Sequence, residues 1–179
     1  MRLMIFIKST ILILSLCFLF GCGENYEPIS SSLVIPKQKN VLGDTLIKDS
    51  VRGRVFSRLY KHATAGLQFQ YDIPKEYQHK KIWVVVGGNI RSNYAMSNSN
   101  FAVSVYDNNS TQLAWNVLPL QIAYLGINKW VFAKDSLLVP ANYYNYIPSH
   151  ISVHTYLAES AHENFDIDSM FVIIKVADY

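Results

Sequence analysis

Five histidines (His62, His79, His150, His154 and His162) are the groups of this 179-residue chain best suited to proton transfer or metal binding. None lies in a local nucleophile–base signature, and no Gly-x-Ser-x-Gly occurs. A catalytic set needs a hydroxyl or thiol beside a base and its orienting acid. His150 and His154 would share a strand face about 13 Å apart, too far for one metal ion. They read as exposed strand and loop histidines. Asp166 and Asp168 would stand about 7 Å apart on one strand face, a spacing that glycoside cleavage asks of two carboxyls. Asp-x-Asp opening a strand is ordinarily turn and capping chemistry, and no cleft-forming insertion accompanies it. Gly87-Gly88 lacks the glycine spacing and following helix of a phosphate loop and reads as a turn or bulge. No catalytic residue, metal site or cofactor is assigned.

Binding chemistry is better represented. The chain holds 12 Tyr and three Trp, most of which must serve as core because aromatic rings bury large areas. Tyr143-Tyr144-Asn145-Tyr146 lies between Pro140 and Pro148. On an extended chain Tyr143 and Tyr144 cannot both point inward. Outward rings there would stack on the C–H faces of sugars while Asn145 served their hydroxyls; the other reading has these tyrosines capping the domain. Trp83, opposite in phase to Val84, is either core or a platform on a sheet face. Trp130 reads as core.

The elements that must carry these residues are strands. Leu67 to Ile73 alternates apolar and polar, as a half-buried strand does. Ile82-Trp83-Val84-Val85-Val86 is apolar on both faces and so central. Phe101 to Tyr106 alternates and ends in the turn cluster Asp107-Asn108-Asn109-Ser110. Leu113, Trp115 and Val117 mark another strand. Residues 129–139 give one long strand or two short ones. Ile151 to Leu157 alternates, and Phe165 to Val176 reads as interior. About eight strands with no helical period predict an all-β sandwich or barrel.

The charge is placed unevenly. Residues 1–21 hold two of the 16 basic residues, Arg2 and Lys8, and none of the 13 acidic ones, so the remainder is nearly neutral. A neutral body excludes the basic surface that nucleic-acid binding needs. Arg52, Arg54 and Arg58 read as a solvated strand face. Arg2 and Lys8 precede an apolar run from Ile11 to Phe20, too short for a membrane span and suited to a secretory signal. Leu19-Phe20-Gly21-Cys22 resembles a bacterial lipobox. That resemblance implies acylation of Cys22 and loss of residues 1–21, which takes Cys17 with it. Gly23, in place of Asp, implies sorting to the outer membrane. Residues 22–45, with Pro28, three serines and Pro36, read as the lipid anchor and a flexible tether of roughly 25 Å r.m.s. span; the alternative joins Leu33-Val34-Ile35 to the domain as an edge strand. The domain itself is expected over 46–179.

The strand series resembles carbohydrate-binding modules of the galactose-binding-like, jelly-roll kind. The resemblance rests on Asn128-Lys129-Trp130 at a strand start, Leu138-Val139-Pro140 at a strand end and the closing Phe165-Asp166-Ile167-Asp168-Ser169-Met170-Phe171-Val172. It implies a jelly-roll β-sandwich of about eight antiparallel strands and a non-catalytic, membrane-anchored lipoprotein that binds glycan. The family's closing strand carries adjacent acids, some supporting calcium; here Ser169 follows Asp168, so no metal is expected. The alternative is an envelope structural or assembly subunit whose sandwich docks a protein partner.

Overall fold

The computed structural model describes residues 26–36, 45–49, 53–61, 65–94, 99–120, 127–158 and 163–177. Among them ten strands form: β1 (Tyr26–Val34), β2 (Thr45–Asp49), β3 (Arg54–Leu59), β4 (Ala65–Asp72), β5 (Ile82–Ser92), β6 (Ser99–Tyr106), β7 (Gln112–Pro119), β8 (Val131–Val139), β9 (His150–Leu157) and β10 (Phe165–Ala177). All pair antiparallel in two sheets. One runs β2-β3-β10-β5-β8 with β1 also on β10; the other runs β4-β9-β6-β7. The molecule is all-β and a sandwich, one of the two architectures the strand pattern predicts, and of the jelly-roll kind that the family resemblance implies. β2 adds to the strands read from the sequence; β1 extends the edge strand offered at Leu33-Val34-Ile35, β3 carries the Arg54 and Arg58 face, and residues 131–139 make one long strand.

Alternation places the core between the sheets. Ile82, Val84, Val86 and Ile90 of β5 are buried, and so are Met170, Val172 and Ile174 of β10. Phe101, Val103 and Val105 of β6 and Ile151, Val153 and Leu157 of β9 meet them from the other sheet. Burying each such side chain favours folding by about 1.5–3 kcal/mol, so the outward phase of every strand is free for other chemistry.

The expected tether is not one over Tyr26–Val34. β1 pairs with β10 from Tyr26↔Ala177 to Val34↔Met170, with an irregularity between Pro28 and Ser30. Pro28 is tolerated because β1 is an edge strand and the ladder is already broken there. β3 takes the same side of β10 further back, at Phe165 to Ile167. Tyr26–Val34 therefore belong to the sandwich, which the sequence reading placed over 46–179. The signal segment, Cys22, His62 and His162 lie outside the described residues.

Gly87-Gly88 is neither a turn nor a bulge but the middle of β5. A Cβ on Gly87 would meet the Phe171 ring and the Ala133 carbonyl at 2.6 Å, so the glycine lets that ring lie on the strand. The bulge belongs to the neighbour β10, between Ile167 and Ser169.

Candidate functional site

The outward phase of the four-stranded sheet makes a trough. Across its middle, register places Gln70 beside Ser152, Ser152 beside Ser104, and Ser104 beside Trp115. Ser104 and Ser152 lie on the two central strands and are buried at 3 % and 5 % exposure. They are small, so the floor sits low between Gln70 on β4 and Trp115 on β7. The flanking strands β4 and β7 are three strand spacings, or about 14 Å, apart. Burying a hydroxyl is costly unless it is bonded, and Gln68 Nε2 donates to Ser152 Oγ at 3.1 Å.

Aromatic and imidazole rings close the ends. At one end the Tyr106 and His150 rings stand 5.8 Å apart, and His150 Nδ1 is 2.7 Å from Asp72 Oδ1. With Nδ1–H donated to Asp72, Nε2 is left as an acceptor for a ligand hydroxyl. At the other end Trp115 meets Tyr156 edge-on at 5.5 Å, and Tyr156 meets His154 at 6.5 Å. Burial holds the His154 pKa below its ordinary value and keeps the ring neutral. Gln68, Gln70, Tyr106, Ser110, His150 and Ser152 line a hollow of about 220 Å³. A second hollow of about 530 Å³ adjoins it, sharing Ser110 and His150. The turn between β6 and β7 shapes that rim: Asp107 Oδ1 accepts from the amides of Asn109 and Thr111, both at 2.8 Å.

The residues picked out from sequence stand elsewhere. Tyr143 and Tyr146 exchange backbone bonds of 2.8 and 2.9 Å across a tight turn. Tyr143 packs on the core, and Tyr144 projects at 96 % exposure with φ 56°. The turn therefore caps with one ring and presents another, and Tyr144 and Asn145 border a separate hollow of about 410 Å³. Trp83 is on the outward face of the six-stranded sheet, 5.7 Å from Tyr26. None of these residues lines the trough. His150 and His154 do share one face, as expected, but half-buried rather than exposed.

The acids of the closing strand are held by arginines. Asp166, 3 % exposed, accepts from Arg58 at 2.6 and 2.9 Å and from Arg91 at 2.9 and 2.6 Å. This pairing raises the Arg58 pKa above its ordinary value. Asp168 accepts from Arg54 at 3.2 Å and from Ser169 Oγ at 2.7 Å. Arg54 and Arg58 are thus ion-pair partners rather than a merely solvated face. Trp130 is not core: it is half-buried, edge-on to Phe56 at 5.6 Å and under the Arg91 guanidinium at 4.8 Å. Among the described residues no three His, Cys, Asp or Glu gather as a metal site would require.

The trough residues were visible in the sequence as the polar phase of two alternating strands. The missed signal is their type. Solvated strand faces usually carry Lys and Glu; these positions carry Gln68, Gln70, Ser152, His154 and Tyr156.

No family model and no curated protein matches the chain. Solved structures similar to it include the CBM35 domain from Cellvibrio japonicus, 13 % identical, covering 83 % of this chain and 99 % of that one at a TM-score of 0.44. The CBM22-1 xylan-binding domain from Paenibacillus barcinonensis is 12 % identical, covers 88 % and 99 %, and scores 0.45. The VP2 subviral particle of infectious bursal disease virus is 8 % identical, covers 84 % of this chain and 33 % of that one, and scores 0.46. Sugar-binding modules and a viral shell thus stand at similar distances, and likeness at this level carries no function.

Proposed function

We propose that this protein is a non-catalytic glycan-binding lipoprotein that takes its ligand in the trough of the four-stranded sheet. The observation that carries this reading is the row Gln70, Ser152, Ser104, Trp115. It combines amide and hydroxyl groups with an aromatic ring 47 % exposed, and the row itself carries no formal charge, Asp72 and Asp107 standing at one end. An uncharged ligand rich in hydroxyls and C–H faces fits that chemistry; a phosphate or a carboxylate does not. The non-catalytic part of the reading is supported by Asp166 and Asp168, whose carboxylates are both engaged by arginine. Membrane anchorage through Cys22 is supported by the signal-like residues 1–21 and Leu19-Phe20-Gly21-Cys22, and sorting to the outer membrane, where the cell has one, by Gly23 in place of Asp.

A glycan array tests the binding. Retention on a neutral polysaccharide, lost in Trp115→Ala and kept in Tyr144→Ala, supports the trough. Loss in Tyr144→Ala alone moves the site to the turn, and silence on every glycan overturns the reading in favour of protein docking. Labelled palmitate entering wild type but not Cys22→Ser tests the anchor.

A further inference from the structure

The outward face of the six-stranded sheet carries a different set of groups. In its rows Trp83 lies beside Lys175 and Leu138, Val85 beside Ile173, and Gly87 beside Phe171 and Lys134. Phe171 and Phe132 stack at 5.6 Å with planes 6° apart. Leu33, opposite Phe171, is 63 % exposed, and Phe132 is 60 % exposed. The rows from Trp83 to Asn89 span about 20 Å along the strands. The only charged side chains in these rows are Lys134 and Lys175, with no carboxylate among them. Tyr26, the first residue of β1, lays its ring against Trp83 on this same face.

We infer that this face lies on the lipid bilayer, with Trp83 and Tyr26 at headgroup depth and Lys134 and Lys175 toward anionic headgroups. The inference rests on the Cys22 anchor proposed above. Only four residue steps separate Cys22 from Tyr26, so a fully extended chain reaches at most about 14 Å. Acyl chains fixed in the bilayer hold Tyr26 within that distance of it. The end of the face that the anchor can reach carries Trp83 and Tyr26, and Trp and Tyr favour the membrane–water boundary. Between Trp83 and Asn89 the outward rows are basic and apolar, and the acids of β10, Asp166 and Asp168, lie beyond them and pair with arginines; such a patch suits a surface of anionic lipid. A second copy of the chain is a poorer occupant, because self-pairing of these rows would bring the two lysines of each copy together with no carboxylate between them. With the six-stranded sheet down, the trough on the opposite sheet points away from the membrane.

The three tryptophans make the test. Full-length protein extracted from cell membranes is placed in vesicles of dibromo-acyl phosphatidylethanolamine with a minority of phosphatidylglycerol. In Trp115→Phe/Trp130→Phe, which keeps Trp83, the bilayer should quench about half of the emission. In Trp83→Phe/Trp130→Phe, which keeps Trp115, emission should be unchanged. Adding Phe132→Glu and Leu33→Glu, both at exposed positions, should abolish the Trp83 quenching while leaving the thermal melt in place. Unquenched Trp83, or equal quenching of Trp83 and Trp115, overturns the inference. So does a stable dimer in solution that Phe132→Glu dissociates, which would give the face to a second copy. Mass spectrometry of the same samples separates the two readings. An acylated protein with unquenched Trp83 keeps the anchor and loses the docked face; an unmodified Cys22 with quenched Trp83 loses the anchor and keeps the face.

Discussion

The two outward faces of this sandwich are built on one backbone plan and differ almost entirely in side-chain type. On the four-stranded sheet the central strands carry serines and the flanks carry Gln70 and Trp115, so the surface sinks and stays polar. On the six-stranded sheet Gly87 lets Phe171 lie flat against the strand, and rings and aliphatic side chains fill the rows. The first face offers hydrogen bonds and stacking to a hydroxylated ligand. The second offers area without polar specificity, as a lipid surface requires. The lesson is that strand pairing specifies the platform and the unburied phase specifies its use.

That contrast can be broken by mutation. The largest effect is expected at Asp166, whose removal leaves two partly buried guanidinium groups without their anion. Asp166→Ala should destabilise by about 3 kcal/mol, read as a lowered urea midpoint, because breaking a buried pair exposes the uncompensated charge of its partner. If binding to glycan survives in the fraction that stays folded, the two faces are energetically separate. Next is Trp115→Ala, which should weaken glycan binding by about 2 kcal/mol, roughly thirtyfold, with little change in stability since the ring is half-exposed. Titration calorimetry checks it, and an unchanged affinity would sink the trough as the site.

Tyr144→Gly should stabilise the fold by about 1 kcal/mol, since φ 56° is strained for a side chain and free for glycine. Trough affinity should not move. The smallest effect concerns His154. Its folded pKa lies below the ordinary 6.5, so below pH 6.5 the unfolded chain binds more protons than the folded one. Stability should therefore fall as pH drops through 6.5 toward the folded value and stay level above it. His154→Gln should flatten that slope in denaturant titrations run across the range.

The sandwich was legible because period-2 patterning reports burial directly. Leu67 to Ile73, Phe101 to Tyr106 and Ile151 to Leu157 each appear as strands within a residue or two of the pattern. β1 was legible only at its end, where Leu33-Val34 stood as the alternative edge strand, because Tyr26–Val34 buries no side chain fully and relies on main-chain pairing to β10. Trp130 misled for a related reason. Its alternating context suggested core, whereas its partners are Phe56 and Arg91, distant in sequence. The trough escaped because its parts come from four strands that adjoin only after folding. The Tyr143–Tyr146 turn stood out because its rings are contiguous in the chain. Contiguity proved a poor guide: its rings diverge, Tyr143 inward and Tyr144 outward.

β10 has one more consequence. It is the last described strand, yet it is the shared partner of β1, β3 and β5. Tyr26 and Val34 have nothing to pair with until Ala177 and Met170 exist, so the sheet cannot be assembled from its early strands as they emerge. Loop-closure entropy across the full domain must be met before that pairing yields any stabilisation, which makes formation slow for a chain of this size.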